Sequence, residues 1–538
     1  MTINFWLLVI GRYFNRVLQL WPRRNVRVIL GQLLLVFLAL VLVGSGSWGT
    51  VAAFSPDRMV TANVPLDSPV YLYLAKLEGL GYLEGLLPDT RPYSRMQAAR
   101  WVRQAQAHLR DNPVPTYVRT IVAALATEFA PELAAFDGGE TREAGFNCHL
   151  QELTWNNVYY DGASMDQTQL RATYQPLAIN RDGYQFAEEF NSILTARIEG
   201  NCQDHLVFSL TPRFSYDQAK DGSSELKAGY LKTGFGNLQL QLGKDARWWG
   251  PGQRGSLPLT NNAKPQVTLE LANLEPIRFH GLLRFLKQMD GRFFISEQDE
   301  ERDVKGASFV GFRAAVAPSA NFNFGGSLTA IVGGDGHVLH GRDYLDFFTG
   351  ENAATAASDR WNSLAGFDFR WRVPQLNGLQ VYGELYGEDQ AKAFGIVPTP
   401  SKNAYLAGLR LPGLTADGSW DLTFETAHTI GCSYKHSLYR DGYTYRGNII
   451  GDAMGPDATR YYCRLSHYRT DGSLFSLHLE QLTPNRTGSA LQRMKAVWLS
   501  YQYNLQTDLL LQTTVGVADC ADAANVNYLL SVALRRQF

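Results

Sequence analysis

The residues best suited to chemistry lie in the segment Gly243 to Pro265, GKDARWWGPGQRGSLPLTNNAKP. Trp248 and Trp249 stand side by side behind Arg247, and Asn261 and Asn262 follow. Aromatic faces stack on the C–H faces of sugars, while Arg and Asn side chains hydrogen-bond hydroxyls and carboxylates. The same residues also suit an inward-folded loop held by buried indole packing, and both readings stand. Gly250-x-Gly252-x-x-Gly255 formally matches a dinucleotide fingerprint. Pro251 lies inside it and no opening helix follows, which excludes that reading. A second segment, Tyr434 to Gly455, sets Tyr439, Tyr443 and Tyr445 among Arg440, Asp441 and Arg446. That is the pattern of a ligand-contacting hairpin or of a solvated loop. Glu384 and Glu388 share a facing parity on a strand, about 13 Å apart at ~3.3 Å per residue. A glycosidase pair is closer than that in either mechanism. No GxSxG, HExxH, P-loop or CxxC pattern occurs, and His428, His436 and His467 lack metal-ligand spacing. The chain therefore reads as a binding protein without catalysis, cofactor or metal.

The elements that must position these segments are strands. From about residue 143 apolar and polar residues alternate, as at Leu206, Phe208 and Leu210, at Phe367, Phe369 and Trp371, and at Leu509, Leu511, Thr513, Val515 and Val517. Period two with one apolar face means one side in an apolar medium and the other in a polar one. A soluble sandwich alternates too, but roughly 400 residues of strands without helices exceed what one sandwich uses. In the closing stretch Tyr528, Leu530, Val532, Leu534 and Phe538 share a face interrupted only by Arg536. Such a strand with an aromatic end resembles the membrane-insertion signal read by the barrel assembly machinery, and its length suits the apolar band of an outer membrane. At about 22 residues per strand and connection, residues 143–538 predict an all-β transmembrane barrel of about 18 antiparallel strands, embedded in outer-membrane lipid.

Residues 60–136 carry helical periodicity instead. Asp67-Ser68 before Pro69, Ser94 with Gln97 three residues on, and Thr116 mark three helix starts, with Pro131 ending the third. Three short amphipathic helices make a small N-terminal α-helical bundle that must borrow burial from the barrel. The turn LEGLGYLEG followed by RPYSR also resembles a surface-layer-homology repeat, which would make this part a cell-wall tether. Residues 1–53 read as a signal peptide: five arginines from Arg12 to Arg27, the run VILGQLLLVFLALVLV, then small residues to Ala53. A retained membrane anchor would use the same run. The formal net charge of −1 excludes an overall basic surface for nucleic acid. Cys432 and Cys463 are candidates for a bond across neighbouring strands.

Together these segments resemble the Wzi-type capsule assembly family of outer-membrane proteins. The likeness runs in order through VPLDSPVYLYLAKLEGLGYLEG, RPYSRMQAARW, GKDARWWGPGQRGSLPLTNNAKP, GEDQAKAF and YRDGYTYRGNIIGDAMGPD. The long Arg-rich leader and GENAATAASDRWN fall outside it. The resemblance implies an 18-stranded barrel with a helical bundle on its periplasmic side, a monomer in the bacterial outer membrane that binds exported capsular or extracellular polysaccharide and holds it at the cell surface. Its polysaccharide contacts would be Arg247, Trp248, Trp249, Asn261, Asn262, Tyr439, Arg440, Asp441, Tyr443 and Arg446. The rival function is a diffusion porin. An anchor predicts a plugged or narrow lumen, whereas a porin predicts an open one with opposed rings of charge.

Overall fold

Alternating apolar and polar residues can all be satisfied only by a wall with two different sides, and that wall closes on itself. A computed structural model describes residues 59–137, 146–167, 170–202, 206–218, 221–337, 339, 343, 360–393, 397–485, 492–520 and 526–538. The signal-peptide reading of residues 1–53 and most of GENAATAASDRWN lie outside them. Eighteen antiparallel strands form the barrel. They are β1 (Phe146–Asp161), β2 (Glu189–Cys202), β3 (Leu206–Asp217), β4 (Asp221–Phe235), β5 (Leu238–Lys244) and β6 (Val267–Asn273). Next come β7 (Gln288–Glu297), β8 (Ser308–Ser319), β9 (Phe322–Val332), β10 (Trp361–Val373), β11 (Leu379–Ala393) and β12 (Val397–Leu411). The last six are β13 (Trp420–His428), β14 (Ala458–Tyr468), β15 (Leu474–Pro484), β16 (Met494–Gln506), β17 (Leu509–Cys520) and β18 (Asn527–Gln537). Closure is made by β18 against β1, from Glu152↔Gln537 to Asp161↔Tyr528.

Large apolar side chains point outward and stay exposed, among them Trp155, Leu210, Leu231, Leu385, Leu409, Phe424, Leu499 and Leu530. On β18, Tyr528, Leu530 and Val532 face out while Asn527, Leu529, Ser531, Ala533 and Arg535 are buried inward. The inward face is charged and paired. Arg313 grips Asp368 bidentately at 2.6 and 2.8 Å, and Arg410 and Asp421 pair in the same way. An apolar exterior over a polar, ion-paired interior is the inverse of a soluble protein and suits a lipid surround.

One end of the barrel has only short connections, such as 236–237, 320–321 and 507–508, apart from 274–287. Across that end lie α1 (Val70–Leu80), α2 (Arg95–Asp111), α3 (Thr116–Glu128) and α4 (Ala130–Phe136). Ser94 Oγ accepts the N–H of Gln97 and starts α2. Over residues 60–136 the sequence predicts three helices and the structure has four, because Pro131 lies in the first turn of α4, where its missing N–H costs nothing. Leu74, Leu77, Val102, Val118, Ile121 and Leu125 form the bundle core, and Tyr468 and Leu474 of the wall complete it. Cys463 faces Phe424 and Leu479 across the strands, while Cys432 lies in a loop beyond β13. The candidate cross-strand cysteine pair therefore does not form; the register puts a phenylalanine where the partner would be.

Lys76 of α1 is fully buried where the bundle meets the wall. Its Nζ donates to the Pro412 carbonyl, lies 3.9 Å from Asp421 and sits 4.5 Å from the Tyr468 ring centroid. Burial pulls its pKa from 10.5 to about 7, against the attraction of Asp421, while Arg410 and Arg464 add repulsion. Between about pH 7 and 10.5 the unfolded chain binds the extra proton, so stability rises with pH across that window. Proteolysis of the bundle is expected to be slower at about pH 9 than at about pH 6, and Lys76→Met should flatten the difference. Equal rates for the native protein at both pH values would contradict this account.

Candidate functional site

The other end of the barrel carries the long connections, and three of them fold back into the lumen. They are 162–188, 245–266 and 429–457. Loop 245–266 leaves the wall low down, because β5 stops at Lys244 opposite Gly229, midway along β4. It then crosses the interior. Trp248 and Trp249 pair as a short strand with Arg91 and Thr90, and Gly250 donates its N–H to the Asp89 carbonyl at 2.8 Å. The segment between α1 and α2 and the long-loop end therefore meet inside the barrel.

The Gly250-x-Gly252-x-x-Gly255 stretch cradles anions, as such backbones do, but the anions are the protein's own. Glu384 of β11 accepts from Leu257 N–H at 2.7 Å, Ser256 Oγ at 2.9 Å and Gly252 N–H at 3.2 Å. Glu425 of β13 accepts from Gln253 N–H at 2.6 Å and Arg254 N–H at 3.2 Å. Gly250 has φ +118°, and a Cβ there would collide with Ser256 Oγ and Glu384 Oε1. Glu388, the other carboxylate of the rejected glycosidase pair, accepts the N–H of Tyr434 in loop 429–457. These wall carboxylates hold the plug in place.

Most of the sequence-nominated residues lie within this plug. Arg247 pairs with Glu270 at 2.5 Å and donates to Thr268 Oγ1. Trp248 is 6% exposed and Trp249 0%, the latter packed on Phe294 at 5.2 Å between centroids. Of the two readings open for the indoles, the geometry is that of struts. Asn261 donates to the Asn180 carbonyl and to Asp182, and Asn262 to the Ile449 carbonyl, so both stitch one plug loop to another. Tyr439 OH donates to the Gly333 carbonyl, and Tyr443 OH to the Pro258 carbonyl at 2.6 Å. The plug core also takes in Leu170, Tyr174, Leu257, Tyr434, Ile449 and Met454.

Arg440, Asp441 and Arg446 are different, since they reach the outer mouth. The backbone N–H groups of Arg440 and Arg446 donate to Asp303 and Asp299 of the β7–β8 connection, at 2.9 and 2.8 Å. Both guanidinium groups are left in exposed positions. Arg171, on loop 162–188, is also exposed and lies 3.1 Å from Asp441. Asp441 accepts from Asp303 N–H. Burial and the neighbouring Asp303 push the Asp441 carboxyl up. Asp303 is held down, its own burial being outweighed by hydrogen bonds from Asp441, Arg440 and Val304. Arg302 ties the two loops together through the Thr444 and Gly442 carbonyls. Arg171, Asp299, Arg302 and Asp303 were not nominated from sequence. The acidic run around Asp299 is visible there, but nothing local indicates that it faces Arg440.

Between plug and bundle a cavity of about 210 Å³ remains, lined by Asp67, Arg181, Lys227, Asp245 and Arg535 among others. Lys227 bridges Asp67 and Asp182, and Arg535 bridges Glu152 and Asp67, so its charges are largely paired. Among the described residues no group of three or more His, Cys, Asp or Glu side chains is placed to hold a metal ion.

Comparison with known proteins agrees with this architecture. The family model for the capsule assembly protein Wzi matches residues 163–527. A Klebsiella pneumoniae protein, "Uncharacterized 55.8 kDa protein in cps region", is 28% identical over 178 residues, 32% of this chain. That match spans about a third of the relative's length, 34%. The solved structure of Wzi from Escherichia coli is described as an outer-membrane protein involved in group 1 capsule assembly and a carbohydrate-binding β-barrel. It superposes with a TM-score of 0.67 at 20% identity, covering 89% of this chain and 100% of that one. A model matched over most of the chain, on a closed barrel of the same fold, places this protein in a family: it belongs to the Wzi family of capsule assembly proteins.

Proposed function

We propose that this protein sits in the bacterial outer membrane, binds exported capsular or extracellular polysaccharide, and holds it at the cell surface without turnover. The observation that carries the reading is the filled lumen: three long loops occupy the interior and present a charged, hydrogen-bonding outer face. A diffusion porin needs an open lumen, which argues against the rival. The family match and the carbohydrate-binding barrel it resembles in fold support the same conclusion. In outer-membrane barrels the short turns face the periplasm and the long loops the outside. On that orientation the bundle is periplasmic and Arg171, Arg440, Asp441 and Arg446 face the polymer. Their guanidinium groups suit carboxylates and hydroxyls of a polysaccharide. Arg247, Trp248, Trp249, Asn261, Asn262, Tyr439 and Tyr443 act behind them as supports. The barrel works as a monomer, and the outward strip of β18 is what the assembly machinery reads.

The test is polymer retention on cells carrying Arg171→Ala, Arg440→Ala and Arg446→Ala together. Exposed charge contacts are individually weak, so the triple variant is expected to lower retention roughly tenfold with normal barrel insertion. Unchanged retention would remove these residues from the contact surface.

A further inference from the structure

The connection between β6 and β7 is the exception among the short-turn connections. Ile277–Arg278 pairs with Met289–Gln288 and prolongs the β6–β7 hairpin past the others. The Phe279 N–H donates to the Lys287 carbonyl at 2.9 Å and closes a neck, beyond which Gly281–Leu286 forms a short 3-10 helix. Leu282 at its tip is 92% exposed and Phe285 is 63% exposed. The neck is held: Glu275 lies 3.7 Å from Arg100 of α2, its carbonyl accepts from Asn237 and Asn273, and Gln288 donates to the Gly85 carbonyl. The sequence thus keeps two large apolar side chains on a rigid projection in the open.

Two features identify what covers them. The first is height. Met289 pairs with Val316, Val316 with Phe324, and Phe324 with Phe369, and the last two are exposed on the outward apolar face. The projection therefore begins one step beyond the edge of the lipid-facing belt. The second is charge. Arg278, His280, Arg284 and Lys287 interleave with the apolar residues, and no acidic residue occurs from Pro276 to Met289. Among the described residues none of the four pairs with a carboxylate. Apolar residues among unopposed basic ones, at the edge of a membrane, are the pattern of an interfacial anchor for anionic lipid.

We propose that residues 278–287 insert Leu282 and Phe285 into the periplasmic leaflet and gather anionic phospholipid headgroups around Arg278, Arg284 and Lys287. The proposal rests on the barrel's orientation and not on the polymer reading, so either can fail alone. The test places photoreactive p-benzoylphenylalanine at Phe285 in the full-length protein, in proteoliposomes mixing phosphatidylglycerol and phosphatidylcholine. A second probe at Phe369 reports on insertion of the barrel. Phospholipid adducts are expected at both positions, with phosphatidylglycerol enriched only at 285. Each basic side chain near an anionic surface favours it by about fivefold, so Arg284→Gln with Lys287→Gln should abolish most of the enrichment. Adducts at 369 without any at 285 would overturn the proposal, as would equal use of the two lipids at 285. A crosslink in cells from 285 to a periplasmic protein in place of lipid would also overturn it.

Discussion

Replacing Glu384 by Ala is expected to turn a closed barrel into a conducting one. Its carboxylate accepts the N–H groups of Leu257 and Gly252 and the Ser256 hydroxyl of loop 245–266 in the buried interior, although Ser256 Oγ also reaches the Trp249 carbonyl. Leaving a buried donor without a partner costs about 1–3 kcal/mol each. The loop can recover those bonds only by moving into water, and the lumen opens as it goes. Purified native protein in a planar bilayer should be nearly silent, whereas Glu384→Ala should show frequent openings. Glu384→Gln keeps one acceptor oxygen and the packing, so it should fall between them. Steady large conductance in the native protein would instead revive the porin reading, and silence in both would show that Glu384 is not a principal tether.

Trp249→Ala should have an effect of similar size for a different reason. The indole is fully buried, and a chain of rings runs from it through Phe294 and Phe309 to Tyr443 and Tyr434, with centroids 5.2 to 5.6 Å apart. That chain joins loop 245–266, the wall at β7 and β8, and loop 429–457. Truncating a buried aromatic costs about 3–5 kcal/mol through lost contact and the cavity left behind. Thermal unfolding of the plug should fall accordingly, and polymer retention with it. Trp249→Phe separates strut from sugar contact. The indole N–H has no hydrogen-bond partner among the described residues, so phenylalanine keeps most of the packing and sacrifices no bond. Retention near normal in Trp249→Phe and lost in Trp249→Ala marks a strut; equal loss in both would mark a direct sugar contact.

The sign of these effects depends on features of unequal legibility. Alternation at Phe367, Phe369 and Trp371 is a local property of the chain and predicts the outward face, while the length of the alternating region predicts the approximate strand number. The Ser94 cap is equally local, since its partner is three residues away. Pro131 was misread because a proline that ends one helix and a proline in the first turn of the next look alike in sequence. The Trp-Trp segment stands out in the sequence, yet burial is a property of its surroundings: Phe294 lies 45 residues away, and Glu384 further still.

The amino-acid sequence by itself determined that this chain makes a membrane barrel capped by helices, and it singled out the two loop segments around which the interior is organised. Period-two patterning carries that information residue by residue, because each side chain must suit either lipid or a polar interior. Only the tertiary structure decided that the tandem tryptophans are walled in and that the glycine-rich loop cradles Glu384 and Glu425. It also decided that Arg171, Arg440 and Arg446 are left facing out. Those assignments depend on which distant strands carry carboxylates at the height where each loop crosses the lumen, and strand register around a closed barrel sets that height.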